Sequence, residues 1–224
     1  MVQGRPDESS TPTRVGSLSE AADALAKLLE RSPDGRPIVG ITGPVGSGKS
    51  TLARLVSERT GGVVVSTDRY LPDYAHIPSD DRDNPDHADL PRLRADLLEL
   101  SSTGSASVPD WSFHTHRREG ETRLEAAGAV FCEGLFALHE AVADLCVCRV
   151  FVEASPATRW QRWEAIERSG ERGWGVERAR DHFHRVAEPA FRSRAADYRR
   201  LAHLIVTNDP SEQPGSSAPG SMPN

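Results

Sequence analysis

Lysine is almost missing from this chain: Lys27 and Lys49 are the only two in 224 residues, and the other 25 basic side chains are arginines. A lone lysine inside a motif therefore marks a place where a flexible point charge is wanted instead of arginine's rigid fork. Cysteine is scarce as well. Cys132, Cys146 and Cys148 are odd in number, lie in apolar runs and lack paired CxxC spacing, which argues against a structural zinc site and leaves small buried hydrophobes. No run comes near the roughly 20 apolar residues of a membrane span. The first ten residues carry Asp7, Glu8 and serines where a secretory signal would have its apolar core, so the expected address is cytoplasmic, away from any membrane. A net charge of -6 argues against a protein that grips nucleic-acid backbone, and any anion it binds must be held by local groups.

The chain is long enough for one α/β domain. Residues 1–16 and 210–224 are rich in Pro, Ser, Thr and Gly and lack an apolar period, so both are expected to be disordered around a domain spanning 17–209. Apolar residues at three- and four-residue spacing predict an amphipathic helix from Ser19 to Arg31. Five short apolar runs follow: Ile38 to Thr42, Val63 to Ser66, Ala129 to Cys132, Cys146 to Val152 and His203 to Thr207. Runs without alternation, separated by helical stretches, predict a parallel sheet with helices on both faces. About sixty residues between the second and third runs hold a helix near Leu90 to Leu100 and two extended pieces, Ser107 to Phe113 and Glu121 to Glu125, suited to a hairpin. Ligands of open parallel sheets bind beyond the carboxyl ends of the strands, so the residues after each run matter most.

Directly after the first run comes Gly43-Pro44-Val45-Gly46-Ser47-Gly48-Lys49-Ser50-Thr51, a GxxxxGK[ST] phosphate loop. Its glycines let consecutive N–H groups turn inward around a phosphate, Lys49 reaches the β- and γ-phosphates, and Ser50 ligates Mg²⁺. The second run ends at Asp68 and the third at Glu133, so two carboxylates join the loop at one sheet edge. One acid can hold the metal while the other accepts a proton from an attacking hydroxyl. Taken singly, each also suits an N-cap or turn, and Asp89, ahead of Leu90 and Pro91, is read as an N-cap.

The ordered blocks GPVGSGKST, VVSTDRY, DNPDHAD, VPDWSFHTHRR, VFCEGLFAL, FVEASPATR, EPAF and ADYRRLAHLIVTND resemble the uridine-cytidine kinases of the phosphoribulokinase and uridine kinase group, from about Arg36 to Asp209. The resemblance implies a P-loop NTPase fold with a five-stranded parallel sheet in order 2-3-1-4-5, an inserted substrate hairpin and a helical lid. It also implies transfer of the γ-phosphate of ATP, with Mg²⁺, to the 5′-hydroxyl of a ribonucleoside. Asp68, Lys49 and Arg172 become catalytic; Gly43, Gly46, Ser47, Gly48, Lys49, Ser50, Thr51 and Arg168 hold the nucleotide; Ser50, Asp68 and Glu133 hold the metal. Asp83, Trp111, Phe113, His116, Arg118 and Arg162 fall at substrate positions, and the lid runs from Arg159 to Trp174.

The chain also departs from that pattern. Leu71 stands where a tyrosine is usual, Arg82 where an aromatic precedes the ribose-binding acid, and Trp163 and Trp174 where the lid is often arginine. The base pocket is thus partly rewritten, and the charge of Arg82 is expected to favour an acceptor-rich or anionic edge. Other readings stay open: a kinase for another hydroxyl compound (pantothenate-like, a riboside or a biosynthetic intermediate), a non-catalytic nucleotide-binding regulator, a solvated ion-paired face for the lid arginines, and a turn cap for Asp83. The sequence does not set the oligomeric state, and a homo-oligomer is compatible with it.

Overall fold

The computed structural model describes residues 11–31, 35–170 and 172–210. In chain order the elements are β1 (Thr13–Val15), α1 (Leu18–Glu30), β2 (Ile38–Thr42), α2 (Lys49–Thr60), β3 (Val63–Ser66), α3 (Leu90–Thr103), β4 (Ser105–Ser112), β5 (Arg117–Glu125), β6 (Val130–Glu133), α4 (Glu140–Ala143), β7 (Cys146–Glu153), α5 (Pro156–Arg168), α6 (Val176–His182), α7 (Glu188–Leu201) and β8 (Leu204–Thr207). Six strands form one sheet in the order β1-β8-β7-β2-β6-β3, and every pairing in it is parallel.

Five of these strands are the five apolar runs, in the expected order. The expectation of five strands and of an irregular segment 1–16 is corrected by β1, which pairs Thr13 to Val15 with Leu204 to Val206 at the sheet edge. Three residues, two exposed and one half-buried, are too few to print a period in the sequence. Residues 1–10 and 211–224 lie outside the described residues.

Strand β2 is buried at every position, because helices cover both faces. Val39 and Ile41 pack with Leu25 of α1 and with Leu52 and Val56 of α2. Ile38 packs the other way, with Leu93, Leu97 and Leu100 of α3 and Val108 of β4. Each such fully buried aliphatic side chain contributes about 1.5–3 kcal/mol. All three cysteines are free thiols buried in these layers. Asp89 caps α3 by accepting the Arg92 N–H, and β4 with β5 forms the expected antiparallel hairpin.

The expected helical lid, Arg159 to Trp174, is helical only in its first part. Helix α5 ends at Arg168, and Gly170, Gly173 and Gly175 follow with φ of 77°, 71° and 78°. Left-handed backbone of this kind stops a helix and turns the chain back. Helix α6 then runs through a π turn, Phe183–Ala187, into α7. Pro189 has no N–H for the carbonyl four residues back, which accounts for the widened turn.

Candidate active site

The loop between β2 and α2 is built to surround an anion. Gly48 adopts φ 100° and leaves the first N–H groups of α2 without a side-chain cap, so these donors and the positive helix end are free for a phosphate. At Gly46 φ is 75°, and a Cβ there would sit 2.6 Å from the Arg159 carbonyl oxygen, so only glycine fits. Inside the loop Ser47 Oγ is fully buried and has no hydrogen-bond partner among the described residues. An orphaned hydroxyl, uncapped amides and a lysine at one place fit a nucleotide phosphate.

Glu133 lies in register with Ile41 on one side and Ser66 on the other, at the carboxyl edge of the central strands. It accepts a hydrogen bond from Ser50 Oγ at 2.9 Å. Burial raises its pKa, with Lys49 pulling it down and Asp68 pushing it up. A buried carboxylate against a hydroxyl, with a second carboxylate near, is a hard-oxygen donor set suited to Mg²⁺.

Beside the loop opens a cleft with about 690 Å³ of empty space including its mouth. It brings together Lys49, Asp68, Asp83, Phe113, His116 and Arg172 of the predicted residues. Burial, then the charge of Asp68, lifts the Asp83 carboxyl to about 6. His182 lies 3.9 Å from Asp83, and burial, then the charge of Arg82, push its imidazole down to about 4. The Arg172 guanidinium sits 4.6 Å from the Phe113 ring centroid and 5.8 Å from that of Trp163.

A family model described as phosphoribulokinase/uridine kinase matches residues 38–213. The chain belongs to the phosphoribulokinase and uridine kinase family. Among its relatives, a uridine kinase of Deinococcus deserti is 30% identical over 187 residues, covering 79% of this chain and 90% of the relative. One of Lactobacillus helveticus is 29% identical, covering 75% of this chain and 85% of the relative. Solved structures share the fold. A possible uridine kinase from Bacillus stearothermophilus aligns with TM-score 0.55 and 18% identity, over 84% of this chain and 98% of that one. YFH7 from Saccharomyces cerevisiae aligns with TM-score 0.62 and 12% identity, over 86% and 99%.

Several residues carried over from the family pattern stand outside the cleft. Arg162 donates to the carbonyls of Gly46, Ser47 and Asn208, at 3.1, 3.4 and 2.7 Å, and so braces the phosphate loop. Arg168 is exposed and pairs with Glu164 one turn back, as the ion-paired reading had it. Arg118 turns to Asp89 at 3.6 Å, in a separate shallow groove. Trp111 donates to the Pro72 carbonyl and backs the wall, edge-on to Tyr74. Arg82 does not itself line the cleft, yet its charge reaches it and, second to burial, lowers the pKa of the lining His116 and His182. Its guanidinium lies 4.6 Å from the Tyr74 ring centroid, where the π face accommodates it.

Other lining residues were not assigned from sequence. Tyr74 and His182 sit in segments whose pattern gives no sign of a site, while Trp163 and Trp174 stood out only as departures from the lid pattern. Arg159, nearly fully buried, forms a two-pronged ion pair with Glu188 and also donates to the Val45 carbonyl.

Proposed function

We propose that the chain is a kinase that transfers the γ-phosphoryl group of ATP, with Mg²⁺, to a hydroxyl of a ribonucleoside, the 5′-hydroxyl by the family's pattern. The observation that carries this reading is the meeting of Lys49, Asp68 and Asp83 in one cleft beside the phosphate loop. Phosphoryl transfer asks little covalent chemistry of the protein, so these groups act by position and charge.

The loop amides and Lys49 hold the β- and γ-phosphates. Ser50 and Glu133 hold Mg²⁺, with Asp68 beside them, and the ion when bound neutralises charge on the transferring group. Asp83 accepts hydrogen bonds from the vicinal ribose hydroxyls, which places the remaining hydroxyl near Asp68. Asp68 takes the proton of that hydroxyl as its oxygen bonds to the γ-phosphorus and the bond to the ADP oxygen breaks. Arg172 adds positive charge on the lid side.

The test is ADP release with ATP and Mg²⁺ against a panel of nucleosides and small polyols. Release should depend on a ribonucleoside, and Lys49→Ala should lower it at least ~100-fold. Release supported only by polyols, or unchanged in a folded Lys49→Ala protein, overturns the proposal.

A further inference from the structure

Past Asp83 the cleft continues into a recess that the chemistry above leaves unused. Asp83, Leu135 and Ala187 border both spaces, and α7 closes the far side with Phe191, Arg194 and Tyr198. The recess is narrow, with room for about one oxygen-sized group. Its polar walls are therefore Asp83 on one side and two side chains of α7 on the other.

Arg194 and Tyr198 stand four residues apart, on one face of the helix. Tyr198 is 4% exposed and clusters with Phe151 and Phe191, and its hydroxyl is buried without a hydrogen-bond partner among the described residues. Phenylalanine would fill that core equally well, and an orphaned buried hydroxyl lowers stability, so packing does not account for the oxygen. Burial pushes the phenol up to about 12, with Arg194 pulling the other way, so the hydroxyl keeps its proton and can donate. Arg194 donates to the Ala190 carbonyl one turn back at 3.1 Å and has no carboxylate within ion-pairing distance among the described residues. Its charge is felt at Asp83, where burial and Asp68 raise the pKa and Lys49, then Arg194, pull it back. Arg162, the arginine expected at the substrate from the lid, is committed to the carbonyls of the phosphate loop.

We infer that Tyr198 and Arg194 complete the sugar subsite: one hydroxyl of the acceptor enters the recess, donates to Asp83 and accepts from the Tyr198 O–H, with Arg194 as the neighbouring cation. The inference rests on the ribonucleoside reading above and names the residues that distinguish the two vicinal hydroxyls. A hydroxyl donates and accepts at once, which an ether or a carbonyl oxygen does not. Because the recess holds one such group, only one of the two hydroxyls uses it, and the other meets Asp83 alone. Helix α7, and not the lid, then sets which ribose hydroxyl the protein requires.

Uridine, cytidine and adenosine are screened by ADP release with ATP and Mg²⁺, and the one turned over fastest is compared with its 2′-deoxy and 3′-deoxy forms. In Tyr198→Phe the preference in kcat/KM for the ribonucleoside should fall about three- to tenfold against one deoxy form, the scale of one lost hydrogen bond, and stay as in wild type against the other. The ligand-free variant should melt no lower than wild type, whereas loss of a structural hydroxyl would lower its melting temperature. A preference unmoved against both deoxy forms, or lowered equally against both, overturns the inference, and so does a melting temperature several degrees lower. Equal turnover of all three compounds by the wild type overturns it too and removes Asp83 from the sugar site, while phosphoryl transfer to a nucleoside stands. No ADP release with any nucleoside overturns both readings. Should Tyr198→Phe not fold, Arg194→Gln decides by the same two ratios, with both unmoved as the refuting result.

Discussion

Replacing Asp83 with asparagine should make the ligand-free protein more stable while disabling it. Burial and the charge of Asp68 lift the Asp83 pKa from 3.8 to about 6, and Lys49 offsets only part of this. Between these values the folded protein binds the proton that the unfolded chain has released. Stability therefore falls as pH rises from 3.8 to about 6 and stays low above it. At about 1.4 kcal/mol per pH unit, the carboxylate costs about 3 kcal/mol at pH 8 and about 0.5 kcal/mol at pH 4. An amide of the same shape carries no charge to desolvate. Asp83→Asn should then melt roughly 6 to 12 °C higher than wild type at pH 8, and only about 1 to 2 °C higher at pH 4. Thermal unfolding followed by circular dichroism at the two pH values measures the difference. An equal shift at both, or a lower melting temperature at pH 8, refutes desolvation as the origin of the raised pKa. In an ADP-release assay the variant should also lose the wild type's preference for ribo- over 2′-deoxyribo-acceptors, expected at roughly tenfold or more.

Asp68→Asn should keep nucleotide affinity by calorimetry yet lose phosphoryl transfer, because an amide neither accepts the proton nor balances the metal's charge; near-normal turnover would move the base to another acid, Glu133 first. Arg159→Ala should destabilise the fold by about 2–4 kcal/mol in urea titration by leaving the mostly covered Glu188 carboxylate unpaired. Removing Glu188 as well should restore part of that loss, and no restoration would mean that packing, not charge, makes Arg159 matter. Arg162→Ala should weaken ATP binding at least severalfold with little change in the acceptor KM, since it braces loop carbonyls and stands outside the cleft. A change confined to the acceptor KM would instead return Arg162 to the substrate site.

What could be read in the sequence follows from how local its physical cause is. The phosphate loop was plain because its glycines, lysine and hydroxyls are consecutive, and the strand order followed from buried runs and resemblance. Asp68, Glu133 and Asp83 could be singled out because each follows a strand or sits in a quoted block. The lid arginines were harder. Arg162 and Arg168 are six residues apart on α5, and only packing determines that one meets the loop while the other meets solvent. Tyr74, Trp174 and His182 come from three separate segments and become neighbours only when the lid turn folds over the hairpin. That Arg82 acts on the cleft from the face of Tyr74 and not from its wall is a matter of orientation that no spacing encodes.

The bracing of the phosphate loop has a consequence for the order of events during synthesis. The Ser47 carbonyl accepts the Asn208 side-chain amide at 2.7 Å, and Arg162 ties the same loop to the Asn208 carbonyl. A motif translated within the first quarter of the chain thus gets its last struts from residues made near its end. A nascent chain carrying GPVGSGKS but not yet Asn208 has the letters of the motif without its rigid shape, so it binds ATP poorly. Acquisition of nucleotide affinity marks the completion of the sheet, and ATP stabilises only chains that have reached it.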